Sequence, residues 1–395
     1  MSTAHAAATR LPSLTGLRFL AVLLVFLTHG TMLAAFADSS VQERYAFLAG
    51  NAGNLGATCL FVVSGFLLAW ASRPGERAAG FWRRRLRALP AHVAVFALAF
   101  AVLAASGVPV RGVAALANLL LVHTWVPVQD FAMFPVSGDA WLLAAGLLFC
   151  LVFPLLMRAV RRVRPSRLRW WTAAAAIAAV AAPFAARLLL PDSPSSVLFN
   201  GGSWYQHWAV AFFPGARLLE FVVGMLLARL VHAGLMPRIG TTLAATLLVA
   251  GYALSLYLPP IHSFAAVYVV PVGLLVGALA SADVAGRGTA LGSRAAVALG
   301  GLAHPFLLVH VTVMFSFHAA FRQQWVGYFQ YDRQAWATPA ALAFLVASLA
   351  LCLLAAWLLH VLVERPTARW WRSAAPAGPV TAARVAVPET VGAAR

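Results

Sequence analysis

Apolar runs of membrane-crossing length recur ten times in this chain, near residues 15–36, 55–72, 89–106, 140–158, 170–190, 207–231, 240–258, 264–281, 297–317 and 338–363. A helix needs about 20 apolar residues to cross the hydrocarbon core of a bilayer. Backbone in lipid must also satisfy its own hydrogen bonds, which restricts such runs to helices. The composition agrees: 62% of residues are hydrophobic and 10% charged, with a mean hydropathy of +0.84. A soluble chain of 395 residues would need far more polar surface. The predicted fold is therefore all-α, a polytopic membrane protein of about ten transmembrane helices.

The net charge of +18 comes from 29 basic residues, every one an arginine. They sit in short segments between apolar runs rather than along one soluble face, which argues against nucleic acid as a partner. Clusters at Arg73–Arg87, Arg158–Arg169, Arg229–Arg238, Arg287–Arg294 and Arg365–Arg372 belong on the cytoplasmic side by the positive-inside rule. Ten spans with both termini cytoplasmic satisfy all five. A further apolar segment, 113–126, would reverse the dense Arg158–Arg169 loop if it crossed, so it is read as a short re-entrant or interfacial helix. Residues 1–372 form one domain in a cell membrane, in contact with its lipids, and the Ala/Pro/Val-rich residues 373–395 are expected to be a disordered tail. No internal repeat of the kind that builds inverted-repeat transporters is evident. Cys59, Cys150 and Cys352 lie in apolar runs without paired or metal-like spacing, which points to burial; no metal and no cofactor is expected.

The most informative of the runs is Leu14–Gly30, LTGLRFLAVLLVFLTHG. Arg18 and His29 are eleven positions apart. At ~100° and 1.5 Å per residue they share a helix face and are separated by ~16 Å, one near the membrane edge and one near its middle. Ionisable residues at that depth face a protein interior or wet cavity, so both are expected to face a single interior cavity. Two plainer readings compete, a hydrogen-bonded core histidine and a cleaved secretory signal ending near Ala35-Phe36-Ala37.

Other polar residues punctuate the apolar runs. Ser64-Gly65 in the second run lets another backbone approach. Arg84 and Arg87, within Phe81–Pro90, suit either a topology anchor on anionic lipid or phosphate oxygens. Arg217 and Glu220, three apart, can pair within one helix, and His310 is either a core residue or a site residue.

Several of these segments resemble the acyltransferase-3 family of integral-membrane O-acyltransferases. LPSLTGLRFLAVLLVFLTHG resembles its first helix, with Arg18 and His29 on the family's arginine and histidine. Leu60–Trp70 is similar to its Ser-Gly-Phe stretch, Arg84 and Arg87 to its paired arginines, and Arg217-x-x-Glu220-Phe221-x-x-Gly224 to its sixth-span motif. His310 stands on the histidine that closes its ninth-span motif, and Glu364-Arg365-Pro366 on its Glu-x-Pro terminus. The fourth span departs most. Trp141 and Leu143 keep the pattern Trp-Ser-Leu-Ser-x-Glu, but Leu142 and Ala144 replace the serines and Gly146 the acid.

The resemblance implies transfer of an acyl group from acyl-coenzyme A, a co-substrate, to a hydroxyl of a polysaccharide, glycolipid or small metabolite. His29 would be the general base, Arg18 would stabilise charge or position the donor, and Arg84 and Arg87 would bind it. Ser64, Trp141, Arg217, Glu220 and His310 would line the site. The alternatives are a transporter or flippase, or a catalytically degenerate member, given Gly146. If another acid takes over the missing role, it is Glu220 or Asp139, the former favoured for its depth.

Overall fold

The computed structural model describes residues 10–73, 75–133, 136–196, 202–321 and 335–373; the expected tail lies outside them. Every regular element among the described residues is a helix, and none is a strand. The elements run α1 Pro12–Met32, α2 Ser39–Ala49, α3 Ala52–Trp70, α4 Ala78–Leu86, α5 Leu89–Ala105, α6 Gly112–Leu119, α7 Gln129–Met133 and α8 Ala140–Arg162. They continue with α9 Leu168–Leu189, α10 Trp204–Ala211, α11 Pro214–His232, α12 Thr241–Ser255, α13 Ala265–Val284, α14 Arg294–Gly301, α15 Ala303–Ala319, α16 Thr338–Leu359 and α17 Arg365–Ser373. Every apolar window falls on a helix. Eight helical units are long and apolar enough to cross a membrane; α14 and α15 qualify as a pair bent by 62°, and α12 is a shorter apolar helix.

The core is built where α3 packs on α1 and α11, with α13 and α9 closing behind them. Glycine makes that approach possible. A Cβ on Gly65 of α3 would collide with the Phe221 carbonyl of α11, and one on Gly224 of α11 with the Val62 carbonyl of α3. The Ser-Gly pair thus serves the close packing its sequence suggests. Phe61, Phe149 and Phe221 fill the space alongside, their rings 5.2 and 4.7 Å apart at the centroids.

The segment 113–126 forms only the eight residues of α6, followed by turns in which Leu121 takes φ 59°. At 1.5 Å per residue such a helix is ~12 Å long and cannot cross the hydrocarbon core. The arginine segments agree, because Arg161 donates to the Ser72 hydroxyl at 3.0 Å. Arg229 reaches the Val160 carbonyl at 2.7 Å, and Arg169 the Leu235 carbonyl at 3.1 Å. Three arginine-rich loops therefore share one end of the bundle.

At the other end α1 stops early. The apolar window continues to residue 36, but the helix ends at Met32 and Ala34 takes φ 49° in the turn that follows. Helix α2 latches this end: Tyr45 donates to the Leu27 carbonyl at 2.9 Å and Thr28 to the Ala49 carbonyl at 2.6 Å. His29 consequently sits in the last turn of α1, nearer the end of the helix than its middle.

Candidate active site

Three side chains from three helices meet beside that last turn. His29 Nε2 lies 3.6 Å from Asp139 Oδ1, His310 Nε2 lies 3.1 Å from Asp139 Oδ2, and His310 Nε2 is 3.3 Å from His29 Nδ1. Asp139 is the N-cap of α8, a position where a carboxylate ordinarily accepts from the helix's own amides. Here it makes no such bond, and it is turned toward the two histidines instead. His310, on α15, is fully buried, stacked on Phe306 at 5.4 Å.

Backbone contacts fix the imidazoles. His29 Nδ1 is 3.0 Å from the Val25 carbonyl, and His310 Nδ1 is 3.2 and 3.1 Å from the Phe306 and Leu307 carbonyls. A carbonyl only accepts, so each Nδ1 carries the proton. Each Nε2 then aims a lone pair toward the cluster. Among the described residues Asp139 has no hydrogen-bond donor on either oxygen other than these rings. Nε2 of each ring faces the Asp139 carboxyl, at 3.1 Å for His310 and 3.6 Å for His29, an arrangement in which a carboxylate can orient an imidazole and stabilise its conjugate acid. The same three residues, each offering one ligand atom within 4.8 Å of the others, have the spacing a metal ion would use.

His29 and Asp139 open into a cavity of about 160 Å³ walled by Trp141, Trp204, Trp208 and Phe212. This outer cavity lies away from the arginine-rich end. His123 also lines it, and burial pushes that imidazole down to about 4, which keeps it neutral. A second, inner cavity of about 330 Å³ holds Arg18, Ser64, Arg85, Gly146 and His304 on its wall. Arg18 and His29 therefore face two cavities rather than the single one expected. The same helices line both in succession: Val22 faces the inner and Val25 the outer, and on α8 Leu142 faces the inner and Trp141 the outer. Phe61 braces this partition edge-on against Trp141 at 6.2 Å. The periodicity of α1 placed both polar residues correctly toward the interior; it could not show that they face different cavities.

The remaining expected residues distribute as follows. Arg217 and Glu220 form a buried ion pair at 3.0 Å, the guanidinium over the Phe61 ring at 5.1 Å. This pair lines neither of these two cavities, so the acid that joins the histidines is Asp139 rather than the favoured Glu220. Arg84 pairs with Glu76, and neither it nor Arg87 lines the inner cavity, whereas Arg85 does. Sequence reasoning missed Arg85, since one step round α4 separates it from Arg84. It also missed a second cluster, in which Glu364 accepts from His304 Nδ1 at 2.6 Å and His360 Nδ1 at 2.7 Å. The i,i+4 spacing of His360 and Glu364 was the available signal.

A family model described as an acyltransferase domain matches residues 11–360. The chain belongs to the acyltransferase-3 family. It is also 35% identical over 366 residues to Acyltransferase MdmB of Streptomyces mycarofaciens, covering 91% of this chain and 92% of that protein. No solved structure matches. The protein is thus a membrane-embedded enzyme that transfers acyl groups, with an acyl donor and a hydroxyl acceptor as its substrates.

Proposed function

We propose that the enzyme transfers an acyl group from acyl-coenzyme A, entering through the inner cavity, to a hydroxyl of a sugar, glycolipid or small metabolite held in the outer one. The observation that carries this reading is His29, beside Asp139, on the wall of one cavity, with an arginine-lined cavity next along the same helices. His29 Nε2 takes the proton of the acceptor hydroxyl as its oxygen attacks the thioester carbonyl. Asp139, with His310, stabilises the imidazolium that results. The proton then passes from His29 to the departing thiolate as the tetrahedral intermediate collapses, so the products are an ester and free coenzyme A.

Arg18 and Arg85 give the inner cavity a positive wall without a carboxylate facing it, which suits a phosphate-bearing donor. Arg84 and Arg87 flank Arg85 in the chain, Arg84 with Glu76 as its partner. The arginine-rich end is then the cytoplasmic one, where coenzyme A is available, and both termini lie on that side of the cell membrane. The aromatic wall of the outer cavity offers flat apolar faces to the acceptor.

The test is acyl transfer by purified protein in lipid nanodiscs, with radiolabelled acyl-coenzyme A and an acceptor found by comparing metabolites and glycans of a deletion strain with its parent. His29→Ala is expected to lower kcat by about 10²–10⁴-fold, the range for a lost general base, with the protein still folded. Full activity in that variant would remove His29 from the chemistry.

A further inference from the structure

The inner cavity has a wall for which the mechanism above finds no use. Helix α8 presents Leu142, Gly146 and Cys150 to it, spaced four residues apart so that they form one stripe along the cavity. Leu143, Leu147 and Phe149 flank the stripe. The wall carries no hydroxyl, amide or charge. In its middle is a notch, because a Cβ on Gly146 would meet nothing within 4 Å. Glycine here is not demanded by the fold: α8 is helical through this position, no neighbour approaches it, and glycine in a helix interior is less favourable than alanine. Contrast Gly65 and Gly224, where a carbonyl of the facing helix occupies the space.

We propose that this notch is the acyl-chain subsite, and that Gly146 sets the length of chain the enzyme accepts, favouring chains longer than acetyl. The proposal rests on the reading of the inner cavity as the donor site. Leu142 faces the inner cavity while the preceding Trp141 shares the outer one with His29, so on this reading the thioester carbonyl stands at the level of Leu142 to be attacked. Gly146 lies one turn below it, a rise of ~6 Å, which is the contour of roughly four carbon–carbon bonds at ~1.5 Å each. An acetyl group ends above the notch. A chain of four to six carbons enters it and buries its methylenes against leucine and phenylalanine, a gain that grows with each carbon. The pantetheine arm, with its amides, runs instead along the side of the cavity that carries Ser64, Arg18 and His304.

The test is equilibrium binding of acetyl-, butyryl- and hexanoyl-coenzyme A to the protein in nanodiscs, which needs no acceptor. Parent protein is expected to bind hexanoyl-coenzyme A at least about 10-fold more tightly than acetyl-coenzyme A, in line with the discrimination apolar pockets achieve per carbon. Gly146→Leu should collapse that ratio toward one, and Gly146→Ala should give an intermediate value. The alanine variant keeps the result readable if the larger side chain impairs folding. A ratio near one in the parent, or the same ratio in all three proteins, would overturn the subsite while leaving the donor cavity standing. Binding of no acyl-coenzyme A at any length would overturn the donor reading and the subsite together.

Discussion

At the scale of single residues, the acid that matters most is the one its sequence position disguised. Asp139 stands at the N-cap of α8 and looks from the sequence like a boundary residue, yet it meets His310 at 3.1 Å. Asp139→Asn should lower kcat far more than it changes donor affinity, because it removes the charge that stabilises a protonated His29 without touching the inner cavity. Steady-state kinetics separates the two; equal losses in kcat and in donor affinity would place Asp139 outside the chemistry. If the cluster shares a proton rather than a metal ion, dialysis against a strong chelator should leave activity intact, and elemental analysis should find no stoichiometric metal. A loss restored by one divalent metal would convert the three residues into a metal site. Glu220 plays another part. It is buried against Arg217, so Glu220→Gln strands a guanidinium in the core and is expected to cost about 3–5 kcal/mol of stability. The readout is a lower melting temperature in detergent; loss of activity in a protein of unchanged stability would return Glu220 to the site.

At the scale of elements, what was legible depended on whether one helix or several carried the information. His29 and His310 could be singled out because an imidazole in an apolar run is conspicuous on its own helix. Gly65 could be read because small residues in such runs mark close packing. Asp139 could be named only as one of two candidate acids; the choice of it over Glu220 was not readable, since it depends on how α1, α8 and α15 rotate against one another. The division of the interior into two cavities was hidden for the same reason. The mutual glycine contact of α3 and α11 should be the most sensitive joint of the bundle. Gly65→Leu is expected to destabilise by at least about 1–3 kcal/mol through overpacking, whereas Gly146→Leu, facing open space, should melt close to the parent. Thermal denaturation of the two variants side by side checks this contrast, and equal melting temperatures would contradict it.

At the scale of the whole molecule, the arrangement of charge was the most reliable guide. Arginine placement alone argued that 113–126 does not cross, and the contact of Arg161 with Ser72 joins the two loops that a crossing would have separated. The exact number of crossings was less accessible, because α12 is short and α14–α15 is bent, and hydropathy registers neither length nor direction sharply. The partition of Val22, Val25, Trp141 and Leu142 has a consequence that is electrical rather than chemical. If both cavities fill with water from opposite sides of a membrane, the potential falls mainly across the side chains between them instead of across the full hydrocarbon thickness. The bulk of those side chains is then what keeps protons from leaking. Replacing Trp141 and Leu142 together by alanine should make liposomes carrying the protein lose an imposed pH gradient faster than those carrying the parent, as a trapped pH-sensitive dye would report. An equally tight variant would mean that the insulating layer of the protein lies elsewhere.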